Sequence, residues 1–489
     1  MADRSNDRMS HRAVAATAVV LGAARLAVIA ATGPTARGLD SDESIYVTAG
    51  LALGRGALPY RDVTVAQPPG LFVLLAPLGQ LRSVLDAITV ARIGSALAGA
   101  FAAYLIGRIA LRQYATAAAI AAMVIAATLP AVAVAERSVL IEPWLNLFTL
   151  LAAACWLATP TDDHRDRRSA WAAGVALGAA LTFKFWAIGL LVPIIATRAH
   201  RSWRDLGRVL GGAAATFALV VIPFVAASPS GFVDQTIGYQ SGRTDGTALH
   251  DRLRGVFGLG WDQLAWREAV PTLVAALAVV LLCTRRRSDP VLRFGVAWYV
   301  TTVAAFLVGP YFGFHYAAAL APAVGLMAAA VVAEALTLVA TPDLRPRTAG
   351  IAAIALLALG VTNDLRWVRG DALGRAPAVE SFAVDLRDEP GTVWSPSPER
   401  ILVGDRLPGS DGDRRLQLDP FAATAPGASR ADGVAAARTL VERSDLVVLG
   451  PDDEPLERVL RQSGFVQIRR DTATGSSLWH RPDGASGGG

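Results

Sequence analysis

Lysine is almost missing from this chain: Lys184 is the only one among 46 basic residues in 489, and every other basic residue is arginine. Cysteine is nearly as scarce. Cys155 and Cys283 both lie inside apolar runs, which excludes a disulfide framework, a CxxC redox pair and zinc-type spacing. Charged residues reach only 18% against 53% apolar, and the mean hydropathy is +0.41. That balance excludes a disordered chain, a collagen-like repeat and an ordinary soluble enzyme. An internal repeat of the kind that builds two matched transporter halves is also absent from the sequence.

What the chain has in abundance is apolar runs. A membrane-spanning helix needs roughly 20 mostly apolar residues. Candidate spans lie near 13–32, 88–111, 116–134, 143–158, 169–183, 185–198, 208–227, 269–284, 291–309, 315–339 and 349–364. The run 70–85 is apolar but carries Pro77 and Arg82, and reads as lying along the membrane interface. Charge is unevenly divided. Residues 370–489 hold 14 Arg and 19 Asp and Glu, a balance of −5, which leaves +10 on the first 369. Basic excess within an apolar half sets topology and does not mark a nucleic-acid surface. The arginines cluster at 4–12, 108–112, 165–168, 198–208, 285–293 and 345–347. Under the positive-inside rule these segments are cytoplasmic. Eleven spans then place the N-terminus inside and the tail outside, with the first helix kept as an anchor and not cleaved as a signal peptide.

The tail has a different texture. SDLVVLG (444–450), FVQIRR and SSLWHR read as strands, and EPLERVLRQSG (454–464) reads as an amphipathic helix ending at Gly464. Residues 484–489 (GASGGG) read as a frayed end. The expected fold is an all-α polytopic membrane domain over 1–369 with a long outer loop at 34–87. A soluble extracytoplasmic α/β domain follows over 370–489.

Candidate chemistry gathers on the segments placed outside. Asp40, Asp42 and Glu43 open a helical stretch that Gly54 and Gly56 close. Capping accounts for Asp40, and for Glu43 folding back three residues later. It leaves Asp42 without a structural task, and a carboxylate just outside the bilayer can serve as a general base. Gln67-Pro68-Pro69-Gly70 then turns the chain back to the membrane. AERSVLIEPW (135–144) sets Glu136, Arg137 and Glu142 between apolar runs; a short solvated loop is the plain alternative. Lys184 sits among Phe183, Phe185 and Trp186, where an ammonium must pair or snorkel. It is also the compact charge suited to a lipid-linked phosphate. The loop 228–268 offers Asp234, Gln235, Tyr239, Gln240, Arg243, His250, Arg252 and Arg254 without diagnostic spacing. In GPYFGFHY, His315 and Tyr316 fit an interface anchor as well as a binding role. The mid-span charges are few, chiefly Arg25, Arg92 and Glu334, which favours chemistry at the outer surface.

These segments, taken in order, resemble the GT-C superfamily of polyprenyl-phosphate-sugar-dependent glycosyltransferases. The likeness is to the branch of the protein O-mannosyltransferases and the lipid A aminoarabinose transferase. Asp42-Glu43 with Tyr46 and then Pro68-Pro69 is similar to that branch's first-loop motif, and Arg137 to Pro143 to its second-loop pattern. GAALTFK, ending at Lys184, is similar to its lysine-bearing segment, and His315-Tyr316 through Pro322 to its late helix. The resemblance implies an inverting sugar transfer on the extracytoplasmic face of the cell membrane, from a polyprenyl-phosphate donor to an acceptor hydroxyl. It implies Asp42 as base with Glu43 assisting, Lys184 and Arg137 at the donor phosphate, and Tyr46, Gln67, Glu142, His315 and Tyr316 around the substrate. Gln67 stands where related enzymes often carry lysine before the prolines. Ile45 stands where the aminoarabinose branch has arginine. Both departures shift phosphate binding to Lys184 and Arg137 and argue against lipid A as acceptor. No cofactor is required, because cationic side chains can neutralise the leaving phosphate, and a divalent metal stays open. The acceptor is an envelope glycan, a glycolipid or a protein, and no nucleic-acid partner is implied. Arginine in place of lysine and alanine-rich spans are a habit of high-GC genomes such as those of actinobacteria. A transporter or flippase of lipid-linked sugars, or an assembly protein on a degenerate GT-C scaffold, shares the same span count.

Overall fold

The computed structural model describes residues 2–33, 39–158, 163–198, 201–241, 247–257, 269–309, 311–373, 386, 389–408, 438, 441, 443–451, 453–472 and 474–482. Arg243 and the glycine-rich end 484–489 lie outside them. The first half holds helices α1 (Ala2–Thr32), α2 (Ser41–Gly54), α3 (Gly70–Leu75), α4 (Val84–Ala110), α5 (Thr116–Thr128), α6 (Pro130–Arg137), α7 (Glu142–Trp156) and α8 (Asp163–Phe183). Next come α9 (Leu191–Ala196), α10 (Trp203–Ala227), α11 (Pro229–Val233), α12 (Tyr239–Ser241), α13 (Leu249–Phe257), α14 (Ala269–Thr284), α15 (Pro290–Val308), α16 (Ala321–Val339) and α17 (Leu344–Leu373).

Among the described residues, six helices are long and apolar enough to cross a membrane. A seventh is added if α5 and α6 count as one span bent by 71°. The bend has a local cause: Leu129 precedes Pro130 and takes ψ 130°, because proline drives the preceding residue out of the α region. Other apolar stretches form shorter helices, such as the 15-residue α7. The run from Gly70 continues as a 3-10 turn to Gln80 and packs against α2.

Burial orders the bundle. The segment Phe314–Val339 is 89% buried, whereas α1 and the apolar part of α17 are each only 22% buried. α16 is therefore central, packed by α5, α14, α15 and α17. α8 and α10 meet closely because Gly174 and Gly178, four residues apart, face the second helix's backbone. A Cβ on them would fall 2.3 Å from the Val209 carbonyl oxygen and 2.5 Å from that of Ala213. Small residues at this spacing let two membrane helices touch, which fixes the end of α8 that leads into Lys184.

Among the described residues the tail carries a four-stranded sheet, β1 (Val393–Trp394), β2 (Leu446–Leu449), β3 (Val466–Arg470) and β4 (Ser477–His480), in the order β1-β2-β4-β3. β1 pairs parallel with β2, and the other pairs are antiparallel. All four residues of β2 are buried, as a strand covered on both faces requires. Val447 and Leu449 pack with Trp479, Leu456 and Leu460 on one face. Leu446 and Val448 pack with Ile401 and Leu478 on the other. Short helices α18 (Glu399–Leu402) and α19 (Glu454–Gln462) complete this region.

Candidate active site

The first turn of α2 separates its three acids by direction. Asp40 is the N-cap and accepts from the Asp42 backbone N–H at 2.9 Å. Glu43 does not fold back onto the cap. It turns inward, 1% exposed, and accepts from Arg92 Nε and Nη2 of α4 at 2.7 and 2.8 Å. It also accepts from the Val139 backbone N–H at 2.8 Å. Asp42 turns the other way and stays 33% exposed, its Oδ2 lying 3.1 Å from His315 Nε2. Tyr46, one turn further on the same face, donates its hydroxyl to that oxygen at 3.4 Å.

From His315 a line of buried charge runs inward. Glu142 opens α7, 1% exposed, where the helix N-terminus favours an anion. Its Oε1 lies 4.0 Å from His315 Nε2 and 3.6 Å from Lys184 Nζ. Lys184 interrupts the helical backbone between α8 and the 3-10 turn Phe185–Leu190, in extended conformation. Its ammonium lies over the rings of Tyr316 (3.8 Å) and Trp186 (4.6 Å). The lone lysine does not snorkel to solvent: its side chain is 7% exposed and enclosed by aromatic faces.

Two cavities adjoin across this line. One, about 440 Å³, is lined by Asp40, Asp42, Tyr46, Tyr239 and His315. The other, about 390 Å³, is more apolar and is lined by Lys184, Phe185, Trp186, Ile237 and Phe306. Ala66, Gln67, Gln240, Tyr311 and Tyr316 line both and so form the boundary. The walls come from separate loops stitched together. Tyr60, in a left-handed conformation at φ 70°, donates its hydroxyl to the Gln67 carbonyl at 2.6 Å. Its own carbonyl accepts from Gln235 Nε2 at 3.0 Å, and Gln235 Oε1 accepts from the Val65 N–H at 3.0 Å. Gln240 Nε2 donates to the Ala66 carbonyl at 3.3 Å. At the inner end Gly70 lies against Thr182, where a Cβ would meet the Thr182 Oγ1 at 2.4 Å. That contact sets the Gln67-Pro68-Pro69 turn beside Lys184.

Asp42, Tyr46, Gln67, Glu142, Lys184, His315 and Tyr316 are therefore brought together. Arg137 closes α6, half-buried, and lines neither cavity. Glu136 beside it pairs with Arg25 at 2.9 Å. Tyr311 and Trp186 are wall residues outside the expected set, and Gln240, one of the residues offered by the loop 228–268, takes a wall position as well. Burial, followed by the charge of Asp42, pushes the Asp40 carboxyl above its ordinary range. Among the described residues no three His, Cys, Asp or Glu side chains converge as a metal-ligand set.

With this geometry in hand, the likenesses to known proteins become specific. A family model described as dolichyl-phosphate-mannose-protein mannosyltransferase matches residues 63–235, between Asp42 and His315. No curated protein sequence matches the chain. Among solved structures, ArnT from Cupriavidus metallidurans bound to undecaprenyl phosphate has a TM-score of 0.64 at 15% identity, over 96% of this chain and 99% of that one. The apo form of ArnT gives 0.63 at 14%, with the same coverage. An oligosaccharyltransferase from Archaeoglobus fulgidus, in complex with zinc and sulfate, gives 0.58 at 11%, over 92% and 71%. The fold is that of the GT-C glycosyltransferases, and the chain is a multi-pass membrane protein.

Proposed function

We propose that this protein is an inverting glycosyltransferase that moves a sugar from a polyprenyl-phosphate donor to an acceptor hydroxyl on the extracytoplasmic face of the membrane. The observation that carries the reading is the pair of adjoining cavities, one presenting Asp42 and the other Lys184, with a common wall between them. An apolar, aromatic cavity suits an isoprenoid phosphate. The partly exposed carboxylate across the wall suits a base facing an acceptor. The fold shared with ArnT bound to undecaprenyl phosphate supports the same donor class.

In this mechanism the acceptor oxygen attacks the anomeric carbon as Asp42 takes the hydroxyl proton. The new C–O bond forms as the anomeric C–O bond to phosphate breaks. The bonding pair leaves with the phosphate, producing free polyprenyl phosphate. Lys184 neutralises the departing charge from within the aromatic cavity, a placement in which one charge is worth about 2.7–4 kcal/mol. His315 holds Asp42 from behind. Glu43 takes no part in proton transfer here; it anchors α2 through Arg92. Arg137 lines neither cavity, so the phosphate charge falls to Lys184.

Eleven spans with a cytoplasmic N-terminus and an extracytoplasmic tail domain fit this chemistry. Arg92, beside Glu43, lies near the start of α4, while Arg108 and Arg112 lie at its other end. The Glu43 anchor and the basic loop are thus about 24–30 Å apart along the helix. The test is transfer by purified protein in lipid nanodiscs supplied with polyprenyl-phosphate mannose, glucose or arabinose and candidate envelope glycan, glycolipid or protein acceptors. The expected product carries the anomeric configuration opposite to the donor. Donor that binds and crosses the bilayer without ever being consumed would make the protein a transporter of lipid-linked sugars.

A further inference from the structure

The chain from Glu399 to Leu407 belongs by sequence to the acidic tail, yet it packs into the membrane half. Leu402 and Leu407 are buried in the same core as Leu71 and Phe72. Two carboxylates of this segment reach the two helices that frame the site. Asp405 Oδ1 accepts from Ser83 Oγ at 3.0 Å and from the Leu85 backbone N–H at 2.9 Å, both at the start of α4. Asp405 does so at φ 59°, a left-handed conformation that few residues besides glycine, asparagine and aspartate adopt. Glu399 Oε2 lies 3.3 Å from Ser44 Oγ, two residues beyond Asp42 on α2, as the longer acceptor of a hydroxyl that also donates to the Ser41 carbonyl at 2.7 Å. Two arginines hold the segment to the tail. Arg400 donates to Ser476 Oγ beside β4, and Arg406 donates to the carbonyls of Leu386, Glu389 and Gly391. None of these side chains lines either cavity.

We propose that residues 399–407 form a brace through which the tail sets the position of the Asp42 helix, with Glu399 and Asp405 as positioning residues. The proposal rests on the assignment of Asp42 as base. α2 and the start of α4 are already joined by the buried Glu43–Arg92 pair, so the two helix starts move as one unit. The brace grips that unit from the outer side at both helices. Without it, α2 pivots about Glu43, and Asp42, the adjacent residue, is displaced. A shift of about 1 Å at a reacting group can cost on the order of 100-fold in rate.

The test uses the full-length protein in nanodiscs with Glu399→Ala, Asp405→Gly and the double variant. Glycine accepts the left-handed backbone while removing the carboxylate with the rest of the side chain. The first readout is hydrogen–deuterium exchange, which needs no sugar transfer. Residues 41–54 and 84–90 should exchange at least about tenfold faster in the double variant, while α16 stays unchanged. The second readout is kinetic. Turnover should fall about 10- to 100-fold, with donor KM and affinity for sugar-free polyprenyl phosphate within about twofold of wild type. Asp405→Asn, which keeps an acceptor oxygen and tolerates the left-handed turn, should restore most of the turnover. Unchanged exchange in 41–54 overturns the brace. So does a fall in turnover matched by an equal fall in polyprenyl phosphate binding capacity, since that signals lost fold. Faster exchange in a protein whose wild type transfers no sugar supports the brace and removes the glycosyltransferase reading instead.

Discussion

Replacing Lys184 with methionine separates two tasks that this one side chain performs. Its ammonium lies 3.6 Å from Glu142 Oε1. At an effective dielectric of about 20, unit charges at that distance attract by about 4.6 kcal/mol. Methionine leaves Glu142 at 1% exposure with the His315 ring, 4.0 Å away, as its remaining basic neighbour among the described residues. Breaking a buried pair from one side costs about 3–5 kcal/mol. Lys184→Met should therefore lower the temperature at which the detergent-solubilised protein loses its monodisperse state. The double variant Glu142→Gln/Lys184→Met should recover most of that loss, because no charge is left stranded. Catalysis should not recover with it. Loss of the charge facing the donor phosphate removes about 2.7–4 kcal/mol from the transition state, a fall of about 100- to 1000-fold in turnover. The assay is paired: melting by light scattering, and transfer from a polyprenyl-phosphate sugar in the same preparation. Wild-type turnover in the refolded-stable double variant would refute the phosphate role of Lys184.

Three further outcomes follow from the same geometry. Arg92→Met should destabilise the protein by about 3–5 kcal/mol, since Glu43 is left buried with the Val139 N–H as its remaining partner; Glu43→Gln/Arg92→Met should regain most of that in the same melting assay. Burial raises the Glu399 carboxyl above its ordinary 4.5. The folded state then holds that proton more tightly than the unfolded one, so the group's contribution is full below 4.5 and is lost as pH rises through the folded value. Glu399→Gln should flatten that decline in a pH series of melting temperatures. Gly70→Ala forces a Cβ to within 2.4 Å of the Thr182 Oγ1 and 2.7 Å of its carbonyl oxygen, costing about 1–3 kcal/mol. By shifting the chain two residues before Lys184 it should also raise the donor KM, which steady-state kinetics would report.

The sequence exposed most of the site because membrane chains make charge conspicuous. Asp42, Glu142, Lys184 and His315 each interrupt or border an apolar run, and the structure gathers all four into one line. Helix α2 was legible down to its cap at Asp40 and its end at Gly54. The direction of Glu43 was not. Its partner Arg92 lies 49 residues away on α4, and no local pattern announces a pairing at that separation. Tyr311 stayed hidden, and Gln240 stood in the loop 228–268 without diagnostic spacing, for a related reason: both become wall residues only when two distant loops are stitched by Tyr60 and Gln235. Arg137 was read from its place in a motif, and it lines neither cavity. In the tail, β2 was visible as an apolar run and β3 and β4 as alternating segments, whereas the two-residue β1 was too short to read. The tail's docking through Asp405 depends on a left-handed turn that sequence does not mark.

The central claim is that Asp42 is the base of a sugar transfer from a polyprenyl phosphate. The most direct test is label transfer in membranes containing wild type or Asp42→Asn, with radiolabelled polyprenyl-phosphate mannose, arabinose and glucose, followed by separation of lipid, glycan and protein fractions. The substitution keeps the shape of a side chain that is 33% exposed and leaves an oxygen that can accept from Tyr46, so the protein should fold and still bind donor. The account predicts that label leaves one of these donors in wild type and that transfer falls by about 100-fold or more in Asp42→Asn. Equal transfer by both proteins would contradict it.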